Sequence, residues 1–227
     1  MKNIAVVLAG GIGARVGGAV PKQLLPLSDG RSVLEHSVDV FEQSAHIDEV
    51  CVVMHPDYIA TAEAMVVSNA WRKVKHIIPG GKERWESSVN AIRLYQDKLE
   101  SAQFATANIL LHDAARPFVS QRIISDVCEA LKEHEAVVVA IPSTDTVYEM
   151  QNGCVARIPN RSTIMRAQTP QAFRLPLITQ AYDIALNSEN MQVTDDCGVV
   201  FNYIPAQSIH IVLGEEQNKK ITFKEDI

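Results

Sequence analysis

A glycine-rich segment with two cations is the first part of the chain that could do chemistry. It follows an apolar run at Ile4–Leu8, has glycines at positions 10, 11, 13, 17 and 18, contains Arg15, and is followed by Pro21-Lys22. Glycines after a strand let backbone N–H groups approach a phosphate closely, and Pro21 restricts the backbone beside Lys22. The segment therefore predicts a site for a phosphorylated ligand rather than a solvated surface loop.

Two common phosphate-binding patterns do not fit this segment. The dinucleotide pattern Gly-x-Gly-x-x-Gly would begin at Gly11, but its last position is Val16. The P-loop pattern requires Gly-Lys followed by Ser or Thr, whereas Gly18 precedes Ala19. A dehydrogenase with a dinucleotide fold is the main competing enzyme class, and it is disfavoured further because Met54-His55, not an acidic residue, ends the second apolar run.

Two more polar segments follow later apolar runs. His112 to Pro117, with the sequence HDAARP, ends the fourth run, and Gly80-Gly81-Lys82-Glu83-Arg84 follows the third. Ligands of doubly wound sheets bind at the carboxyl ends of the strands. Asp113 could there bind a ribose or a metal and Arg116 a phosphate; the alternative is that the two form a pair that caps the next helix. We interpret His112 as a structural histidine whose hydrogen bonds are satisfied at the strand end.

The acidic pair Asp195-Asp196 has two interpretations. It resembles a metal-binding pair, but it also fits the acidic first turn of a helix capped by Thr194. We favour the helix.

Taken together, these segments resemble the CTP-dependent polyol-phosphate cytidylyltransferases. The resemblance follows the family's order over nearly the whole chain. It is carried by Leu8-Ala9-Gly10-Gly11, Gly13, Arg15-Val16-Gly17, Pro21-Lys22-Gln23, Gly80-Gly81, Arg84, His112 to Pro117, Asp145-Thr146, Gln168 to Gln171, Thr194 to Asp196, and Asn218 to Thr222. It implies transfer of CMP from CTP to a small polyol phosphate with release of pyrophosphate, by a homodimer whose hairpin arms interlock.

The resemblance also implies roles for individual residues. The residues with implied catalytic roles are Arg15, Lys22, Arg161 and Lys220, with Arg161 serving the neighbouring subunit's site. The implied nucleotide contacts are Leu8, Ala9, Gly10, Gly11, Gly80, Gly81, Arg84, Ser87 and Ala114. The implied acceptor contacts are Asp113, Arg116, Thr146, Thr169 and Thr194. No residue is expected to be a metal ligand, because Mg²⁺ is expected to bind mainly through the CTP phosphates.

The implied reaction explains these residue types. The acceptor phosphate attacks the α-phosphorus of CTP in line, and both reactants are anions, so fixed cations and Mg²⁺ must neutralise and orient them. A phosphate dianion is already a nucleophile at neutral pH, so no general base is needed. Retention of Arg15, Lys22 and Lys220 argues against a further alternative, an inactive nucleotide-binding protein of the same fold.

The acceptor remains open between 2-C-methyl-D-erythritol 4-phosphate, which we favour, and ribitol 5-phosphate. The segments His112 to Pro117 and Thr194 to Asp196 are similar to the methylerythritol branch of the family. By contrast, Ala9-Gly10-Gly11 is typical of the ribitol branch, and Lys82 stands where methylerythritol enzymes often carry an acidic residue.

Short β-branched runs alternate with amphipathic segments and would position these residues. The runs are Ile4–Leu8, Val50–Met54, Val74–Ile78, Ile109–His112, Val137–Ile141 and Ile209–Leu213. Runs that are apolar on both faces are typical of strands covered on both sides. The alternation predicts an α/β fold with a single Rossmann-like, mostly parallel sheet and helices on both faces, in one domain spanning residues 1–227.

A projecting β-hairpin arm is predicted over residues 143–166. Asn152-Gly153 lies between the apolar pieces Val147-Tyr148 and Val155–Ile158, and Asn-Gly between such pieces is a strong hairpin signal. An isolated hairpin is marginally stable and would expose its apolar residues, so pairing with the same arm of a second chain is expected.

Composition excludes several other classes. The net charge of −6 argues against nonspecific nucleic-acid binding. No apolar run approaches the length of about 20 residues that spans a membrane, and the four cysteines lack metal-ligand spacing. The N-terminus lacks the features of a signal peptide, so a cytoplasmic protein is expected.

Overall fold

Seven strands form the central sheet of the protein, whose computed structural model describes residues 1–11, 20–223 and 226. The strands are β1 (Asn3–Ala9), β2 (Glu49–Met54), β3 (Val74–Pro79), β4 (Asn108–Asp113), β5 (Ala136–Pro142), β8 (Met165–Arg174) and β9 (His210–Leu213). Their order is β3-β2-β1-β4-β8-β5-β9. Strand β8 is antiparallel to both of its neighbours, and the other neighbouring strands are parallel.

Helices cover both faces of this sheet. They are α1 (Val33–Gln43), α2 (Ile59–Ser68), α3 (Arg84–Lys98), α4 (Ser101–Phe104), α5 (Gln121–Ala130), α6 (Leu175–Leu186) and α7 (Asp196–Tyr203). Alternate residues of β1 enter opposite layers, because successive side chains of a strand point to opposite faces. Val7 belongs to the same apolar cluster as Phe41 of α1, whereas Val6 belongs to the cluster on the other face, with Ile92 of α3 and Ile178 of α6. The predicted α/β class with a mostly parallel, Rossmann-like sheet is confirmed.

Strand β8 was not predicted. It runs through Gln168–Gln171, contains a cis Thr169–Pro170 peptide bond, and lacks the β-branched character of the other strands. Because Met165 and Arg166 pair with Pro142 and Ile141 of β5, the last two residues of the predicted arm belong to the central sheet.

The Asn-Gly turn is present where the sequence predicts it. The short strands β6 (Glu149–Gln151) and β7 (Cys154–Arg157) form a separate antiparallel pair joined by Asn152 and Gly153. Both turn residues have positive φ, 52° and 78°, as a two-residue hairpin turn that matches strand twist requires. Exposed apolar side chains accompany this hairpin, including Met150 at 72% and Ile158 at 60%. Its role in dimer formation stays a prediction.

In the described part of the chain, no helix is both long enough and apolar enough to span a membrane.

Candidate active site

A cleft of about 410 Å³ opens where several loops meet at the carboxyl ends of the strands. The register of the sheet brings these loops together, because Leu8 at the end of β1 pairs with Asp113 at the end of β4, and Ala9 pairs with Met54 of β2. The lining residues are Leu8, Ala9, Gly10, Gly11, Lys22, Gln23, Gly81, Lys82, Glu83, Arg84, Ser87, Asp113, Ala114, Ala115 and Lys220.

One wall of the cleft consists largely of backbone. A Cβ atom on Gly80 would lie 2.9 Å from the Cα of Gly10, and one on Gly10 would lie 3.0 Å from the Oγ of Ser87. Side chains at these glycines would therefore push the two loops apart. The Gly81 N–H donates to Ser87 Oγ at 3.1 Å, which fixes the start of α3 against this wall.

The buried amide of Gln23 holds the end of β1. Its Nε2 donates to the carbonyl oxygens of Ala9 at 2.5 Å and Gly11 at 2.7 Å, and the side chain is 3% exposed. Buried carbonyl groups need such partners. Sequence reasoning did not select Gln23 as a site residue, although its place directly after Lys22 in the phosphate-binding segment was a usable signal.

Lys22 is tied to the C-terminal segment of the chain. Its Nζ donates to the carbonyl oxygen of Ile221 at 2.7 Å, and the Ile221 N–H donates to the carbonyl of Ala115 at 2.8 Å. The Ile221 side chain is fully buried with Leu27 and Val33. The loop after β4, the segment around Lys22 and the C-terminal segment are therefore held together at the cleft.

The charged wall of the cleft lies at the end of β4 and is centred on Asp113. Its Oδ1 accepts from Arg84 Nε at 2.8 Å and its Oδ2 accepts from Lys220 Nζ at 2.7 Å. Arg84 Nη1 also donates to Oδ2 of the fully buried Asp196 at 2.6 Å. Burial by itself would raise the pKa of Asp113, but attraction from Arg84 and Lys220 outweighs it and holds that pKa far below its usual range. Asp113 is thus a carboxylate at any physiological pH.

Arg116 does not pair with Asp113, which corrects the alternative of an Asp113–Arg116 helix cap. Its Nη1 donates to the carbonyl of Asn218 at 2.7 Å and its Nη2 to the carbonyl of Ala167 at 3.4 Å. Within the described residues it has no carboxylate partner, and burial lowers its pKa. It lies beside the cleft and not in its lining.

A buried hydrogen-bond chain supports the backbone at Asp113. The Asp113 N–H donates to Thr169 Oγ1 at 3.1 Å, Thr169 Oγ1 lies 3.0 Å from His112 Nδ1, and His112 Nε2 lies 3.1 Å from the Arg116 carbonyl oxygen. Since a carbonyl can only accept, His112 is protonated at Nε2 and accepts from the Thr169 hydroxyl. This confirms His112 as a structural histidine.

The predicted site residues fall into three groups. Those in the cleft lining are Leu8, Ala9, Gly10, Gly11, Lys22, Gly81, Arg84, Ser87, Asp113, Ala114 and Lys220. Those outside it are Gly80, Arg116, Thr146, Arg161, Thr169 and Thr194. Gly80 lies against the backbone of Gly10, and Arg161 donates to the Thr144 carbonyl at 3.2 Å. Thr146 and Thr194 are exposed. Arg15 lies outside the described residues. The lining residues to which the sequence motifs gave no binding or catalytic role are Gln23, Lys82, Glu83 and Ala115.

The pair Asp195-Asp196 begins helix α7, as the favoured interpretation held, but Asp195 and not Thr194 caps it. Asp195 Oδ1 accepts from the Gly198 N–H at 2.7 Å, and Oδ2 accepts from Gln171 Nε2 at 2.7 Å. Capping was assigned one residue too early, because Thr and Asp are both common at this position.

The carboxylates that line the cleft are already engaged. Asp113 has its two cations, and Glu83 accepts from the backbone at the start of α3 as part of a capping box. In the described ranges, no group of three histidine, cysteine or acidic residues has the arrangement of a metal site.

Comparison with known proteins identifies the family. Residues 3–227 match the family model of 2-C-methyl-D-erythritol 4-phosphate cytidylyltransferase, IspD. The chain belongs to this family. It is therefore a nucleotidyltransferase enzyme, and the resemblance found in its sequence is confirmed.

Individual relatives agree with this assignment. The chain is 43% identical to the 2-C-methyl-D-erythritol 4-phosphate cytidylyltransferase of Thermobifida fusca (strain YX), over 98% of this chain and 89% of that protein. It is 37% identical to the bifunctional ribulose 5-phosphate reductase/CDP-ribitol pyrophosphorylase Bcs1 of Haemophilus influenzae, over 100% of this chain and 47% of that protein. The crystal structure of 4-diphosphocytidyl-2C-methyl-D-erythritol synthase from Anaerococcus prevotii DSM 20548 superposes with a TM-score of 0.84 at 28% identity, covering 99% of this chain and 92% of that one.

The buried His112 should make the stability of the protein depend on pH. Burial lowers its pKa from 6.5 to about 4, so the unfolded chain takes up a proton at this residue before the folded protein does. The contribution of His112 to the free energy of unfolding is therefore fully present above about pH 6.5 and is lost as the pH falls towards 4. The loss is about 2 kcal/mol between about pH 7 and pH 5. Urea unfolding of wild type and His112→Gln at both pH values measures this contribution, since the variant should lose that much less on acidification. Parallel losses in the two proteins would contradict it.

Proposed function

We propose that this enzyme transfers CMP from CTP to 2-C-methyl-D-erythritol 4-phosphate and releases pyrophosphate. The observation that carries the proposal is a single cleft with two different walls, one of glycine backbone and one of charged side chains, in a chain of the matched family. The backbone wall suits a nucleotide, which approaches N–H groups closely, and the charged wall suits a phosphorylated acceptor with hydroxyl groups.

The nucleotide end of the site is proposed to lie along Leu8–Gly11, Gly80-Gly81 and Ser87, with Ala114 beside the ribose. The close approach of Gly10 to Gly80 leaves no room for a side chain at either position and places backbone groups beside the cleft. A cytosine is proposed to exchange hydrogen bonds with backbone groups near Gly81, and a purine to be rejected by its size.

The acceptor end is proposed to lie around Asp113 and Lys220. Lys220 can neutralise a phosphate, and Asp113 can accept hydrogen bonds from acceptor hydroxyl groups through lone pairs not used by its two cations. Arg116, Thr146, Thr169, Thr194 and a second subunit's Arg161 are proposed to complete this end.

Catalysis is proposed to rest on positioning and charge. The acceptor phosphate attacks the α-phosphorus in line while the bond to pyrophosphate breaks, and Lys22, together with Arg15, stabilises the charge that develops on the phosphates. Bound Mg²⁺ would neutralise the triphosphate. Because Asp113 and Glu83 are engaged by other groups, the described residues fit an ion held by the nucleotide and not by a protein ligand set.

A second candidate acceptor is ribitol 5-phosphate. It is favoured by the 37% identity to a protein named for CDP-ribitol pyrophosphorylase activity and by Lys82 in the cleft lining.

A pyrophosphate-release screen tests the proposed reaction. With CTP and Mg²⁺, turnover should be at least about tenfold faster with 2-C-methyl-D-erythritol 4-phosphate than with ribitol 5-phosphate, and ATP or GTP should give far less turnover than CTP, because a missing or misfitting contact of about 1.4 kcal/mol produces a tenfold difference. Chelation of Mg²⁺ should abolish release. Faster turnover with ribitol 5-phosphate would assign the second acceptor, and equal rates with all three nucleotides would overturn the cytidylyl assignment.

Replacement of Lys22 should damage the chemical step more than nucleotide binding. Lys22→Ala should lower kcat by about 100-fold, the scale for loss of one transition-state stabiliser, and change the KM for CTP much less. Lys132→Ala is the matched control, since Lys132 lies on the surface and pairs with Glu129. A normal kcat with a raised KM would assign Lys22 to ground-state binding instead.

We also propose that residues 1–227 act as one domain and that two such chains share their active sites. A single sheet built from residues 3 to 213 supports the first part. The second part is supported by the exposed apolar residues of the hairpin, with Tyr148 at 58% and Val155 at 57% exposure, and by the absence of Arg161 from the lining of the cleft on its own chain.

Mixed dimers test site sharing. Arg161→Ala and Lys220→Ala proteins should each be nearly inactive. After co-unfolding and reassembly, roughly half of the dimers are mixed, and each of these has one site with both lesions and one intact site if Arg161 acts across the interface. The mixture should therefore recover roughly a quarter of wild-type activity per subunit. Absence of recovery, with subunit exchange verified by mass-tagged chains, would place Arg161 in the site of its own subunit.

A further inference from the structure

Two residues that do not reach the cleft are connected to its charged wall. Asp196, at the start of α7, is fully buried, and Tyr182 of α6 is 1% exposed. The Tyr182 hydroxyl donates to Asp196 Oδ1 at 2.7 Å, and Asp196 Oδ2 accepts from Arg84 Nη1 at 2.6 Å. Both side chains are buried too completely to contact a substrate in the cleft, and neither is in its lining.

Stability by itself does not account for this buried carboxylate. Helix α7 is already capped by Asp195, whose Oδ1 accepts from the Gly198 N–H. A buried ion pair gives little net stability, because the cost of desolvation offsets the attraction. An apolar residue at position 196 could fill the same space, so a role in fixing the geometry of Arg84 explains the charge better.

Arg84 connects Asp196 to the charged wall of the cleft. Its guanidinium is planar, and its Nε and Nη1 atoms are held by carboxylates from β4 and α7 respectively. A planar group held at two donor atoms by two separate elements has a fixed orientation. Asp113 is then fixed by Arg84 on one oxygen, and its other oxygen fixes Lys220 Nζ.

The balance of charges around Arg84 also supports a role for Asp196 in fixing the geometry of the charged wall. Asp196 and Asp113 carry two negative charges, and Arg84 and Lys220 carry two positive charges. With the Asp196 charge removed, Asp113 would be the one anionic partner left to Arg84 among the described residues, and Arg84 would compete with Lys220 for it. Loss of the Asp196 charge would therefore change the geometry of the charged wall. The backbone wall from Leu8 to Gly11 is held by contacts that do not involve these four residues.

We infer that Asp196 and Tyr182 are positioning residues for the acceptor end of the site, acting through Arg84 on Asp113 and Lys220. The inference rests on the proposed function for the identity of that end. Neither residue was expected from the sequence to have this role, and Arg84, which the resemblance gave as a nucleotide contact, is assigned by this inference to the acceptor end instead.

Steady-state kinetics with both substrates provide the first test. Asp196→Asn should lower kcat/KM for the acceptor by about tenfold or more, since small displacements of positioning groups have effects of this size, and should change the KM for CTP by less than about twofold. Tyr182→Phe should change the acceptor constant in the same direction by about threefold, and it serves as the milder variant if Asp196→Asn unfolds. Asp183→Asn and Tyr203→Phe, which alter nearby groups with partners elsewhere, should leave both constants unchanged.

A second readout does not depend on turnover. The Nε–Hε NMR signal of Arg84, assigned by its loss in Arg84→Lys, should be sharp in wild type and in Asp183→Asn and should broaden in Asp196→Asn. Equal losses for CTP and acceptor, or unchanged acceptor kinetics with a sharp Arg84 signal, would overturn the inference. If wild type turns over no polyol phosphate, the proposed function fails, and the NMR comparison still decides whether Asp196 holds Arg84.

Discussion

The carboxylate of Asp113 is the group on which the geometry of the site depends. It ends a central strand, and each of its oxygens accepts from one cation, Arg84 from 29 residues away and Lys220 from 107 residues away. A buried carboxylate is costly unless it is paired, so the start of helix α3 and the C-terminal segment must both approach this strand end to deliver their cations. One charged group thereby determines where two distant parts of the chain meet.

The sheet topology explains why this meeting point also adjoins the glycines that directly follow β1. Strand β1 lies between β2 and β4, so its end adjoins both Met54 and Asp113. Gly10, directly after β1, therefore lies against the backbone of Gly80, and it lines the same cleft as Asp113. Packing of apolar layers on both faces of the sheet keeps the three strand ends in register, and this register fixes how the two walls lie relative to each other.

Local patterns predicted much of this arrangement, and non-local pairs account for what they missed. Runs of β-branched residues identified the parallel strands, and Asn152-Gly153 identified the hairpin turn, because each signal lies within a few residues. Strand β8 has no such signal, since it is a strand through its pairing with β4 and β5. The contact of Arg84 with Asp196 spans 112 residues and exists once α3 and α7 are both packed, so no spacing in the sequence could indicate it.

The two arginines near Asp113 differ in what they can still bind. Arg84 lines the cleft, but burial and two carboxylates act on it together; burial would lower its pKa, and the attraction from Asp196 and Asp113 raises it instead. Its charge is therefore neutralised within the protein, and a phosphate would gain little by approaching it. Arg116 donates to two carbonyl oxygens, and it has no carboxylate partner within the described residues. Burial lowers the pKa of Arg116, and attraction from Asp113 offsets this only in part, so we propose that an arriving anion gains more from Arg116 than from Arg84. A side chain's position in the cleft is thus a weaker guide to phosphate binding than whether its charge is already neutralised by other groups of the protein.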